Sequence, residues 1–158
     1  MTLILGTESC RLDSAGRFKL PIALKNQLQE GESRFVVRPS VYAECLELWT
    51  YSSFVEEMEK LRGQLNPYSI EDLELLRKMM ACNNVELDNN DRLLIPMEQK
   101  GVLGDSKDIV LQAMGSYIEV WNKEKYKAME SKPVNYAEKA NRRLGSLSAD
   151  LSHRKDAE

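Results

Sequence analysis

The chain has 158 residues, 42% hydrophobic and 30% charged, with a net charge of −3. That composition belongs to a globular protein with room for one ordinary domain or two small units sharing a core. No apolar run reaches the roughly 20 residues of a membrane helix, and Met1 to Gly6 has neither the basic lead nor the length of a secretory signal. The three cysteines, Cys10, Cys45 and Cys82, are odd in number and far from metal-ligand spacing, so reduced thiols in a cytoplasm are expected, with no metal and no cofactor.

The first readable element is a turn at Asp13-Ser14-Ala15-Gly16-Arg17. Asp13 can bond its own backbone two residues on, and Gly16 accepts a positive φ without a Cβ clash. From Arg17 the pattern alternates as in a half-buried strand, with Phe18, Leu20 and Ile22 predicted on one face and Arg17 and Lys19 on the other. Pro21 suits the first turn of a helix. Ile22, Ala23, Leu24 and Leu28 predict a short amphipathic helix stopped near Gly31. A hairpin follows, Phe35 to Val37 as one strand and Cys45 to Trp49 as its return. Phe54, Met58 and Leu61 then recur at helical spacing up to Gly63. After Asn66-Pro67, Ser69 with Asp72 three residues on predicts the capped start of a second helix bearing Ile70, Leu73, Leu76 and Met80.

The pattern then repeats. Leu12-Asp13-Ser14-Ala15-Gly16-Arg17-Phe18-Lys19-Leu20-Pro21 returns as Leu87-Asp88-Asn89-Asn90-Asp91-Arg92-Leu93-Leu94-Ile95-Pro96, and Leu46-Glu47-Leu48-Trp49 returns as Ile118-Glu119-Val120-Trp121. Two ordered matches at offsets of 75 and 72 residues mark a duplicated β-rich unit. In the second copy the hairpin falls on Ile109 to Leu111, a turn at Met114-Gly115-Ser116, and Tyr117 to Trp121. Beyond Pro133 the chain turns polar, with Tyr136, Leu144, Leu147 and Leu151 scattered, and reads as a loosely held helix or tail.

Little supports catalysis. The single histidine, His153, sits in the polar tail, and there is no phosphate-cradling glycine loop, HExxH or CxxC. Acid pairs such as Glu56-Glu57 read as solvated helix faces, and the protein is expected not to be an enzyme. Trp49, Trp121 and the pair Met79-Met80 read as packing residues. Charge is more informative. From Ser9 to Arg38 the chain carries Arg11, Arg17, Lys19, Lys25, Arg34 and Arg38 against Asp13, Glu30 and Glu32, that is +3 in a chain whose total is −3. Arg17 and Lys19 share a solvent face at the mouth of a turn, where they could meet a DNA backbone or a base edge. The plainer reading pairs Arg17 with Asp13 and leaves Lys19 as a solubilising residue. In the second copy Asp91 replaces Gly16 and Leu94 replaces Lys19. That copy therefore reads as a packing or assembly unit, with Arg92 tied to Asp88 or Asp91.

Leu-Asp-x-x-Gly-Arg followed by an apolar strand and proline, repeated with aspartate in place of the glycine in the second copy, resembles the MraZ family over roughly residues 5 to 130. The resemblance implies an α+β fold in which two tandem swapped-hairpin units of the SpoVT/AbrB type form a pseudo-twofold barrel with flanking helices. The units are expected at 7–53 and 82–125, with a helical linker at 54–81 and a C-terminal helix and tail at 126–158. It also implies a cytoplasmic, nucleoid-associated regulator that binds double-stranded promoter repeats of the division and cell-wall gene cluster as a ring-like homo-oligomer, with no membrane partner. The family's DNA-contact motif carries onto Asp13, Gly16 and Arg17, with Lys19, Arg11 and Lys25 as helpers. It carries only partly onto Asp88 and Arg92, where the glycine is missing. The alternative is a protein-interaction or antitoxin-like module of the same fold with weak or no DNA binding.

Overall fold

The computed structural model describes residues 3–145 and divides the chain into two compact units, Met1–Lys127 and Ala128–Glu158. His153, Leu147 and Leu151 lie outside the described residues. In the first unit, strand β1 (Thr7–Arg11), the turn, β2 (Arg17–Lys19), a single helical turn α1 (Ile22–Lys25), β3 (Arg34–Pro39) and β4 (Leu46–Thr50) make up the first copy. Helices α2 (Tyr51–Gln64) and α3 (Ile70–Met80) follow. The second copy contributes β5 (Asn83–Glu86), β6 (Arg92–Leu94), a 3-10 turn at Met97–Gln99 and α4 (Lys100–Leu103). Strands β7 (Asp108–Ala113) and β8 (Ile118–Asn122) and helix α5 (Lys123–Glu130) complete it. In the unit that begins at Ala128, residues 136–145 are helical and mostly exposed.

The copies exchange strands. One sheet runs β1-β7-β8-β4-β3-β5 and a two-stranded ribbon pairs β2 with β6, every pairing antiparallel. β1 of the first copy pairs with β7 of the second, and β5 of the second with β3 of the first. The register obeys a pseudo-twofold, because Glu47 faces Glu119 in the β4–β8 pair and Phe18 faces Leu93 in the ribbon. The fold is α+β with tandem swapped units, but the sheet does not close into a hydrogen-bonded barrel, since β1 and β5 stand at its edges. Side chains close it instead. Phe18, Leu20, Leu93 and Ile95 join Phe35, Val37, Leu46, Leu48, Ile109, Leu111, Ile118 and Val120 in one core.

The central strands are buried on both faces and so carry near-continuous apolar runs rather than alternation. Ile22, predicted to point inward with Phe18 and Leu20, is 65% exposed. Pro21 ends the strand and turns the chain into α1, so the period of two stops at Leu20. Both long helices begin as their residues dictate: Thr50 Oγ1 accepts the Ser53 N–H, and Ser69 Oγ accepts the Asp72 N–H, each at 3.3 Å.

The outer face of the sheet holds a second cluster, Val36, Trp49, Phe54 and Met58, beneath α2. Within it lies a buried ion pair. Arg38, 5% exposed, donates through Nε to Glu47 Oε1 at 2.8 Å, and Glu47, 3% exposed, also accepts the Trp49 indole N–H at 3.0 Å. A second guanidinium nitrogen of Arg38 donates to the Met79 carbonyl and ties the end of α3 to the sheet. Removing one partner strands a buried charge, which costs about 3–5 kcal/mol. Arg38→Met is therefore expected to lower the unfolding free energy by about that amount. Arg38→Met with Glu47→Gln should recover most of it, as a denaturant titration of the two variants will read.

Candidate nucleic-acid interface

The two turns that open the ribbon are built alike. Asp13 Oδ1 accepts the N–H groups of Ala15 and Arg17, both at 2.9 Å, and Asp88 Oδ1 accepts those of Asn90 and Arg92 at 2.8 and 2.9 Å. The fourth turn residue has positive φ in each copy, +88° at Gly16 and +61° at Asp91. Glycine adopts this freely and aspartate is among the few side-chain-bearing residues that tolerate it, so Asp91 preserves the turn. Each turn is fastened to the other copy: the Leu20 N–H bonds the Asp91 carbonyl at 2.8 Å, and the Ile95 N–H bonds the Gly16 carbonyl at 2.9 Å.

Lysines 75 residues apart cross between the copies in the same way. Lys25 reaches over to Asp91, Nζ to Oδ1 at 2.6 Å, while Lys100 reaches the first turn and donates to the Ala15 carbonyl at 3.2 Å. A Cβ on Gly16 would collide with the Lys100 side chain. The crossing lysine thus takes a carboxylate where the turn supplies one and a backbone carbonyl where it supplies glycine. Lys100 was not among the residues singled out from the sequence. Its equivalence to Lys25 at the repeat offset was the signal that could have found it.

On the ribbon, Arg17 lies opposite Leu94 and Lys19 opposite Arg92, all four exposed, while Phe18 and Leu93 between them point into the core. Three cations therefore share one solvent face, drawn from both copies. The second copy's Arg92, expected to be tied to Asp88 or Asp91, instead pairs with Asp13 of the first copy, Nη1 to Oδ2 at 3.1 Å. Of the two readings of Asp13, pairing with the Arg17 side chain or fixing the turn while Arg17 projects outward, the geometry shows the second: Asp13 holds the Arg17 backbone N–H. The Arg17 guanidinium makes no hydrogen bond among the described residues and lies close enough to Asp88 to lower its pKa. Two expected helpers sit elsewhere. Lys25 is engaged with Asp91, and Arg11 ends the edge strand β1 of the large sheet, its Cα opposite Asp108.

Asp13 and Asp88 are both held below the ordinary value of 3.8, chiefly by the backbone N–H of Arg17 and of Arg92 respectively. The Cys45 thiol is pushed up to about 12 by burial first and by Glu119 next, and Cys10 to about 11 by burial. Both are therefore poor nucleophiles near neutral pH.

Residues 79–147 match a family model described as "MraZ protein, putative antitoxin-like". Transcriptional regulator MraZ of Christiangramia forsetii is 34% identical over 152 residues, 92% of this chain and 96% of that protein. The chain belongs to the MraZ family. The protein of the same name from Flavobacterium psychrophilum is 35% identical over 156 residues, covering 95% of this chain and 97% of the relative. That of Bacteroides thetaiotaomicron is 32% identical over 127 residues, 79% and 81%. Among the described residues no helix of this MraZ chain is long and apolar enough to cross a membrane.

The sign of the acid response follows from the depressed carboxylates. A carboxylate whose folded value lies below its unfolded one stabilises fully above the unfolded value and ceases to do so as pH falls through the folded one. Stability should thus hold above pH 3.8 and erode below it. Asp13→Asn with Asp88→Asn keeps an oxygen acceptor at each turn but removes the titration. Its unfolding midpoint should fall less steeply with acid than that of the unaltered chain, as urea titrations across the acid range will measure.

Proposed function

We propose that this MraZ chain is a DNA-binding transcription regulator, cytoplasmic and nucleoid-associated, whose two-stranded ribbon enters the major groove. The observation that carries the reading is the convergence of Arg17, Lys19 and Arg92 on one exposed face in a chain of net charge −3. A two-stranded ribbon fits the major groove, and arginine is the usual bidentate partner of guanine there. The relatives' name, transcriptional regulator, supports the role. Arg17 is assigned the base contact. Lys19 and Arg92 add phosphate contacts, Arg92 by releasing an ion pair to Asp13 that is half-exposed and so weakly held. Asp13, Asp88, Gly16 and Lys25 fix the turns from which these side chains project, and Arg11 lies at the rim. Several chains in a ring would present their ribbons to successive promoter repeats, those upstream of the division and cell-wall genes on the resemblance, and linked weak contacts would multiply by effective concentration.

A second reading, a protein-interaction or antitoxin-like module, draws on the wording of the matched family description and on exposed apolar residues of the α2–α3 arm, Tyr68, Ile70 and Leu75 among them. Mobility shifts on DNA from upstream of the chain's own gene separate the two. Arg17→Ala should weaken binding by about 1–3 kcal/mol and relax sequence preference. Arg92→Ala should lower the slope of log affinity against log salt by about 0.9 with little change in preference. A folded chain showing no sequence-dependent shift at near-physiological salt would remove the regulator reading and leave the interaction module.

A further inference from the structure

The pseudo-twofold that exchanges Arg17 with Arg92 exchanges Lys19 with Leu94. The outward face of the ribbon therefore has arginines on one diagonal and an unlike pair, lysine and leucine, on the other. Leu94 is 39% exposed, faces Arg17 across the ribbon, and shares its side of β6 with Arg92. The core has no use for it, because its neighbours Leu93 and Ile95, each 1% exposed, fill the inward positions. At the position equivalent to the charged Lys19, Leu94 thus presents an apolar side chain between the two arginines. Within a major groove an apolar side chain has one specific partner, the C5-methyl group of thymine.

We propose that Leu94 is a specificity-determining residue that seats against a thymine methyl, and that its pairing with Lys19 gives the pseudo-symmetric ribbon a direction on DNA. The proposal rests on the DNA-binding reading above. Arg17 reads a base on one side, while Arg92 meets phosphate on the other. Lys19 donates to phosphate on one side, and Leu94 meets a methyl on the other. A site that satisfies both is not a palindrome.

The test uses a duplex selected by the full chain from a randomised pool. Each thymine in turn is replaced by deoxyuridine, which removes only the methyl. The unaltered chain should lose about fourfold in affinity at one position of each half-site pair, the value of one buried methyl group. Leu94→Ala should bind the thymine duplex about as weakly as the unaltered chain binds the uracil duplex, and should not distinguish the two. Leu94→Lys, which makes the halves alike, should also lose the distinction, while its salt slope steepens by about 0.9. Thermal unfolding checks that both variants are folded. A selected duplex whose thymines are all indifferent to demethylation overturns the proposal alone, as does a Leu94→Ala or Leu94→Lys chain that still prefers thymine. Failure to enrich or bind any duplex overturns the DNA-binding reading, and this one with it.

Discussion

Neither copy of the repeat can complete its own core, and the rest of the molecule follows from how each is completed by the other. β1 finds its ladder partner in β7 and β5 finds its own in β3, so each copy's leading strand is hydrogen-bonded only across the pseudo-twofold. The hydrogen bonds that enter each turn are swapped as well, Leu12 N–H to the Lys107 carbonyl and Leu87 N–H to the Ser33 carbonyl. A buried backbone group without a partner carries a desolvation penalty. A half-molecule would leave a row of such groups along one edge and the inner faces of Phe18 or Leu93 without cover. Exchange of strands thus commits the whole first unit to fold as one body, although its sequence is two units long.

The same arrangement explains which differences between the copies are tolerated. Gly16 and Asp91 occupy equivalent left-handed positions, and the crossing lysine adapts to each by taking a carbonyl or a carboxylate. On the outer face of the sheet, Glu47 and Glu119 face one another at the axis, and each accepts the indole N–H of the tryptophan two residues on. Arg38 neutralises Glu47. The equivalent residue in the second copy is Gln112, whose carbonyl oxygen accepts hydrogen bonds from Thr7 and Tyr126. One half of that face is thus held by an ion pair beneath α2 and the other by neutral hydrogen bonds beside α5. The glutamates at the axis stay matched, while the groups beside them, Arg38 in one copy and Gln112 in the other, differ.

The repeat itself was readable, because a turn that needs a side-chain acceptor, a positive φ and then a strand ending in proline leaves the same residues each time. The helix starts at Thr50 and Ser69 belong to the same class, being local chemistry written over three or four residues. What sequence could not supply were partners made by the exchange. Asp13 and Arg17 are four apart and look like an ion pair, yet the carboxylate uses its Oδ1 on backbone and its Oδ2 on Arg92, 79 residues away. Lys25 read as a spare cation for the same reason, since Asp91 is brought to it only by the strand swap. Ile22 failed on a local ground. Proline changes the period from two to that of a helix, and an apolar residue just beyond it no longer faces the core.

On the proposed DNA-binding reading, the acids beside the ribbon's cations have to be held still. Asp13 and Asp88 are each fixed by two backbone N–H groups, so their negative charge cannot swing toward an approaching phosphate or away from it. The guanidinium of Arg92, by contrast, is held at one exposed contact and can exchange a carboxylate for a phosphate at little net cost. Each fixed acid thus sits beside a ribbon cation, Asp13 against Arg92 and Asp88 within reach of the charge of Arg17. With a net charge of −3 over the whole chain, such a surface gains little from indiscriminate contact with a polyanion. Under that proposal it favours the pose that lays the ribbon's cations along the groove. Low overall charge is in this sense an aid to discrimination, because it removes the non-specific background against which a few base contacts must compete.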